Sequence, residues 1–331
     1  DPNSDTLRVR VTGEHDSITR IIQADYQFIE RANSAFDYGV ATKGPLSLSG
    51  NIELSGVTIS IESNAFIESL NDPVALSITG NSQIGGDVKI AHSDPIFDFQ
   101  GGKVGVGGAT GDEVFDHIET GVDVPDFPEP VTSTFAPYAI NVVDANSDTS
   151  SDATFENIRI LANTNPTFSG HATLKGVIFI ETPNVVTFTG GVDMTGIVVG
   201  DGDWTDNSAT NQIIFRGNVD SSSISELPAE AQYTGLHDET GTFVMAPGFH
   251  VSFGGSFSTL AGAIVGNGVE FFGNAGGTIQ GSIINYSDET MSLSGNSDLY
   301  FNRSGLTEVP AGFVPTIVLQ LTPTSYSEPT T

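Results

Sequence analysis

The chain has no cysteine among its 331 residues, which excludes disulfides, thiolate zinc sites and cysteine nucleophiles. Basic residues are scarce: 11 Lys and Arg stand against 41 Asp and Glu, a net charge of −30. A chain so acidic repels nucleic-acid phosphates and anionic lipid, so neither is an expected partner. Tryptophan occurs once, and no stretch is long and apolar enough to span a bilayer. The six histidines, His15, His92, His117, His171, His237 and His250, make no H-x-x-x-H or H-x-H pair, so a histidine metal site is not expected. Gly105-Val106-Gly107-Gly108 and Gly273-Asn274-Ala275-Gly276-Gly277 have no helix after them and read as turns, not phosphate cradles.

What abounds is glycine, 38 residues in all, much of it inside a recurring phrase. An apolar residue, a small residue, Gly and a polar residue are followed by a second Gly six positions after the first. It reads Leu48-Ser49-Gly50-Asn51 to Gly56, Ile78-Thr79-Gly80-Asn81 to Gly86, Phe168-Ser169-Gly170-His171 to Gly176, and Phe188-Thr189-Gly190-Gly191 to Gly196. Looser copies follow at Gly255, Gly273 and Gly295. Uninterrupted copies lie about 20 residues apart, a solenoid period. Short β-branched runs between glycine corners predict an all-β fold, a parallel β-helix with coils of about 20 residues. On the order of 11 rungs at ~4.8 Å each gives a length of about 50 Å. Stacked Phe168, Phe188, Phe215, Phe253 and Phe272 are the expected aromatic ladder of its core.

Four regions depart from the repeat. Residues 1–35 contain two alternating runs around Gly13-Glu14-His15-Asp16 and predict a β-hairpin that caps the first coil. It is locally basic, with Arg8, Arg10, Arg20 and Arg31, and these arginines are the candidate interface for an acidic neighbour. The β-helix is expected over 36–308, with excursions at about 109–154 and 220–247. The first of these holds Asp123-Val124-Pro125-Asp126-Phe127-Pro128-Glu129-Pro130, which cannot form central strands. Phe127, Phe135 and Tyr138 are its expected anchors. Residues 309–331, rich in proline, read as an extended strap.

Chemistry-bearing motifs are few. A lyase acting on acidic sugars needs a basic cluster or Ca²⁺, whereas Lys43, Lys89, Lys103 and Lys175 are scattered. A hydrolase would use grouped acids such as Asp193, Asp201, Asp203 and Asp220. The favoured expectation is a non-enzymatic protein without a resident cofactor. Calcium is the one candidate ion: Asp201, Asp203, Asp206 and Asn207 place oxygen ligands along a tight loop around Trp204. Asp144-Ala145-Asn146-Ser147-Asp148 with Asp152 is a weaker second candidate. A solvated acidic turn is the competing reading at both places.

From residue 155 onward the sequence carries Asn157-Ile158-Arg159-Ile160, Asn163-Thr164-Asn165-Pro166-Thr167-Phe168, Ala246-Pro247-Gly248-Phe249 and Gly295-Asn296-Ser297-Asp298-Leu299-Tyr300-Phe301. With Phe36-Asp37-Tyr38-Gly39 at the start of the first coil, these runs resemble exported bacterial surface proteins of the PilX-like, pilin-leader type, which are mostly uncharacterised. In such relatives an apolar N-terminal helix precedes a β-rich domain; that helix is not in this sequence, which fits a processed or truncated product. The resemblance implies an extracellular or cell-surface location, self-association or assembly with other pilus subunits, and no catalytic residues.

Two readings of function stand beside each other. One is a structural or fibre-forming subunit of the bacterial surface. The other is an adhesin-like module in which Trp204, Tyr138 and Tyr233 stack on glycans, with a polysaccharide lyase or hydrolase a more distant third.

Overall fold

The computed structural model describes residues 6–16, 18–206, 209–303 and 309–328. Among the described residues the chain is all-β, with helix confined to short 3-10 turns. Three sheets of nine, seven and twelve strands are parallel throughout, apart from a small hairpin between Gly105–Val106 and Ala109–Thr110. A fourth sheet, of three antiparallel strands, is formed by the two ends of the chain.

The chain visits the parallel sheets in rotation. Leu46–Gly50 joins the nine-stranded sheet, Glu53–Gly56 the seven-stranded and Ala65–Ile67 the twelve-stranded; Val74–Gly80, Gln83–Ile84 and Val88–Ile90 repeat the order. Parallel neighbours need a long connection between them, and here the other two strands of each circuit supply it. Alternation sets the inward face: Leu46 and Leu48 are fully buried with Ser47 between them, and Leu76 and Ile78 repeat this one circuit on.

The glycine phrase has a steric cause. Its first glycine closes the strand of the nine-stranded sheet, at a corner where successive backbones nearly touch. A Cβ on Gly80 would overlap the carbonyl oxygen of Gly50, one on Gly50 that of Gly295, and one on Gly295 that of Gly273. A second run of the same overlap links Gly255, Gly217, Gly190 and Gly170, while between the two runs a Cβ on Gly273 would meet Gly254 at an ordinary 3.4 Å. Beside it Asn81 donates to Asn51 at 3.0 Å and Asn51 to Asn296 at 2.8 Å, a short ladder of side-chain amides.

Circuit order in space is not chain order. Along the nine-stranded sheet the strands run Ile96–Gln100, Val74–Gly80, Leu46–Gly50, Met291–Gly295, Val269–Phe271, His250–Phe253, Gln212–Phe215, Val185–Phe188 and Thr167–Phe168. The first and last circuits are neighbours in the middle of the stack. Val40–Thr42 pairs with Ile283–Asn285, Leu46–Gly50 with Met291–Gly295, and Glu53–Gly56 with Asp298–Phe301, all parallel and in register. The N-terminal hairpin therefore does not cap the first circuit, because the last circuit already covers that edge. It pairs instead, through Ile18–Arg31, with Thr316–Leu321 from the segment expected to be a strap.

This arrangement leaves residue 120 at one end of the stack and residue 141 at the other. Between them 121–140 carries no strand and runs back along the outer face of the twelve-stranded sheet. Val122 N–H donates to Ile90, Phe127 packs on Phe66 and Tyr286, Val131 N–H donates to Gly312, and Arg159 holds the carbonyls of Ala136 and Ala139. Phe135, Tyr233, Leu227, Leu236 and Phe313 complete a second apolar layer over that face. The sheet is thus buried on both sides, which explains its unbroken apolar runs such as Val177-Ile178-Phe179-Ile180.

Inside the stack, Phe168, Phe188, Phe215, Phe253 and Phe271 form a ladder with centroids 4.8 to 5.0 Å apart. The last member is Phe271, not the expected Phe272. Phe271 lies opposite Phe253 in register and is fully buried, and strand alternation turns Phe272 outward over Gly254.

Candidate functional site

The three-stranded sheet is the most unusual surface of the chain. In an antiparallel pair, residues directly opposite share a face. Leu7 faces Tyr26, Val9 faces Ala24, Val11 faces Ile22 and His15 faces Ile18. On the other edge, Tyr26 faces Leu321, Phe28 faces Leu319 and Glu30 faces Ile317. Leu7, Val9, Val11, Ile18, Ile22, Phe28, Ile317, Leu319 and Leu321 consequently lie on one side of the sheet, and all are exposed, Val11 by 58% and Ile317 by 57%. An antiparallel sheet normally packs one face on a core; these nine side chains belong to neither core cluster of the described residues.

The four arginines of this region divide between the two faces. Arg8, Arg10 and Arg31 stand on the opposite, polar face, and Arg20 on the apolar one. Arg8 grips Asp25 through two hydrogen bonds of 2.7 and 2.9 Å, and that hydrogen-bonded guanidinium holds the Asp25 carboxyl below its ordinary range. Arg31 pairs with Asp37 at 2.6 Å. Arg10 lies opposite Gln23, and Arg20 opposite Gly13. Two of the four are thus committed within the chain.

The acidic loop after strand Val192–Gly200 turns its carboxylates on its own backbone. Asp201 accepts from Gly202 N–H, Asp203 from the amide and hydroxyl of Thr205, and Asp206 from Asp203 N–H at 2.9 Å. Asn207 lies outside the described residues. Among those residues no group of three or more His, Asp or Glu side chains is arranged around a common point. At the second acidic turn, Asp144 accepts from Asn146 and Ser147, and Asp148 from Ser150 and Ser151.

The four candidate hydrolase acids separate into pairs at opposite ends of one strand. Asp193 and Asp220 are register neighbours; Asp193 bonds His171 at 2.8 Å, and Asp220 accepts from Ser258. Asp201 and Asp203 follow the far end of that strand. His171, in the asparagine place of its phrase, therefore serves a carboxylate one circuit away. His117 likewise pairs with Asp87 on the neighbouring circuit at 2.8 Å.

Of the three loop aromatics, Tyr233 is fully buried and its phenol is pushed up to about 12 by that burial. Tyr138 is partly buried against the second apolar layer. Trp204 remains 45% exposed, stacked on Tyr286 at 5.5 Å. Tyr286 donates its hydroxyl to Pro128, and the Lys43 ammonium lies 5.3, 5.8 and 5.5 Å from the rings of Phe127, Trp204 and Tyr286. No sequence pattern announced this cluster, because its members come from four separate segments.

No protein-family profile matches the chain, and no curated protein matches it. Among solved structures, the chain aligns with the competence-associated pilin ComZ from Thermus thermophilus at a TM-score of 0.29 and 10% identity, covering 99% of this chain and 82% of that one. A likeness at that level carries no argument about this chain.

Proposed function

We propose that the chain is a non-enzymatic subunit of a bacterial surface assembly, pilus-associated or fibre-forming. In this reading the three parallel sheets are the faces of a β-helix displayed outward, and the antiparallel sheet is its attachment base. The observation that carries the proposal is the exposed apolar face of that sheet. A contiguous apolar surface of this kind marks an interaction site on an exported domain, and the sheet is built from both ends of the chain, which gives it a base separate from the circuits. The resemblance to PilX-like exported proteins points the same way.

The ends of the stack are poorer contacts. Asp94, Asp98, Asp112, Asp116 and Glu119 gather around one end and Asp144, Asp148 and Asp152 around the other. Asp98 and Glu119 lie on edge strands, Glu119 paired with Lys89 at 3.5 Å, and the others in adjoining turns; the surplus of negative charge at each end opposes end-to-end pairing. Phe115, from the 3-10 turn Gly111–His117, also packs against Phe97 and Phe99 at the first of these ends.

Native mass measurement and negative-stain microscopy at rising protein concentration test the proposal. Assemblies are expected for the wild type and single particles for the double variant Ile22→Glu/Leu319→Glu. Single particles for both, with amides of the three-stranded sheet exchanging freely, would overturn it.

A further inference from the structure

The geometry points to a saccharide-binding subsite on the flank of the stack, formed by Trp204, Lys43 and the cleft beside them. It adjoins the three-stranded sheet, since Asn33 in the cleft bonds Thr316 of that sheet, but it uses none of the apolar residues of the base, so its test is read separately from assembly.

The cleft has a volume of about 520 Å³, is open to solvent, and is lined by Asn33, Lys43, Glu68, Asp126, Phe127 and Glu129 among others. That space exceeds a single pyranose ring, so a short glycan segment fits. Lys43 belongs both to the cleft and to the aromatic cluster; Trp204 does not itself line the cleft, and its ring centroid lies 5.8 Å from the Lys43 ammonium at the cleft's edge. One side of Trp204 is taken by Tyr286 and much of the rest of the indole meets solvent. Leaving a large apolar ring half in water is unfavourable, and a stacked sugar face would shield it.

The polar complement matches hydroxyl ligands. Glu68, Asp126 and Glu129 supply acceptors, and Lys43 supplies donors. Burial pushes the Glu68 carboxyl above its ordinary range, and its oxygens can accept from a ligand hydroxyl. Asn33 is only 9% exposed and spends its amide N–H on Thr316 at 3.0 Å, while its Oδ1 has no hydrogen-bond partner among the described residues. That oxygen is itself closed off from solvent, so the ligand's hydroxyls would meet the carboxylates and Lys43 and not Asn33.

Charge selects within the class. Three carboxylates against one ammonium disfavour uronic or sulfated sugars. The aromatic box is not open to a ligand cation either, since Lys43 already occupies it. The ligand class that remains is a neutral or amino-sugar glycan.

Trp204 is the one tryptophan of the chain, so its emission reports this site without labelling. The test titrates the full chain with neutral oligomers of glucose, mannose and galactose, with chitooligosaccharides, and with polygalacturonate oligomers as the acidic control. The expected result is a saturable emission change at millimolar or lower concentration for a neutral or amino sugar and none for the acidic one. Glu68→Gln should weaken that binding about tenfold, and Trp204→Ala should abolish the heat of binding in calorimetry while the melting transition persists. Glu68→Gln leaves the aromatic cluster intact, so it stays informative if Trp204→Ala disturbs the fold. Silence from every sugar by both fluorescence and calorimetry, equal binding of the acidic oligomers, or an unchanged affinity in Glu68→Gln would each overturn the subsite. None of these outcomes bears on assembly, which is read from the charged variant of the base.

Discussion

Asn285 donates its side-chain amide to the hydroxyl of Thr42 at 2.9 Å, across 243 positions of sequence, and both residues are fully buried. The Asn285 oxygen meanwhile accepts from Gly268 N–H at 2.9 Å in the preceding turn of chain. One side chain therefore fastens the last circuit to its neighbour in sequence and to the first circuit of the chain. Asn285→Ala strands a buried amide and weakens the setting of a buried hydroxyl, each costing about 1–3 kcal/mol. The expected loss is about 2–4 kcal/mol in chemical denaturation. A loss under about 0.5 kcal/mol, as for an ordinary surface site, would mean that the seam between first and last circuits does not hold in solution.

The Phe ladder gives a sharper contrast. Phe215 stacks on Phe188 and Phe253 at 5.0 Å on either side, so Phe215→Ala empties the middle of the column. Truncating a fully buried Phe costs about 3–5 kcal/mol. Phe272, outside the column, should lose no more than about 1 kcal/mol as alanine. Comparable losses at 215 and 272 would place Phe272 in the core after all.

How far the sequence spoke depends on the range of each interaction. Alternation in Leu46-Ser47-Leu48 and the spacing of the glycines are local and repeat, so strands, corners and most of the ladder were legible. Phe272 was misplaced because two adjacent phenylalanines offer no local choice of face; the register with Phe253 decides it. The pairing of Val40–Thr42 with Ile283–Asn285 left no mark, since nothing at residue 40 differs from any other circuit start. The apolar side of the three-stranded sheet was half legible, because Leu7, Val9 and Val11 alternate openly, yet their alignment with Leu319 needs a strand some 300 residues on. The Trp204 cluster was legible only as a lone exposed aromatic, since Lys43, Phe127 and Tyr286 reach it through the crossover and the seam.

Arg159 is the clasp of the 121–140 crossover. Its guanidinium holds the Ala136 carbonyl at 2.6 Å and Glu181 at 3.2 Å, and lies 4.9 Å from the Phe179 ring centroid. Arg159→Met keeps the aliphatic bulk but removes the charged donors, each worth roughly 1.5–3 kcal/mol. Hydrogen exchange should quicken over residues 136–142 while the strand Ile96–Gln100 at the far end stays as protected as before. Uniform loss of protection along the whole chain would show that the crossover is not a separable element.

The acidic turns set the response to low pH. Asp148 is held down to about 2, chiefly by the Ser151 hydroxyl and then by the amide and hydroxyl of Ser150. Asp203 is lowered by the Thr205 hydroxyl and amide. Folding depresses both pKa values, so the stabilisation these bonds give is complete above the ordinary carboxylate range and disappears as pH falls toward the folded value. The two turns should therefore loosen between about pH 4 and pH 2, while protonation elsewhere relieves the repulsion of a net charge of −30. Carbon-detected NMR of the side-chain carboxyls separates the two effects residue by residue. An Asp148 midpoint near 2 is expected; a midpoint near 4, that of a free carboxyl, would mean that Ser150 and Ser151 do not engage it in solution. Ser151→Ala, which removes the first of those donors, should move the midpoint upward while the circuits keep their protection from exchange.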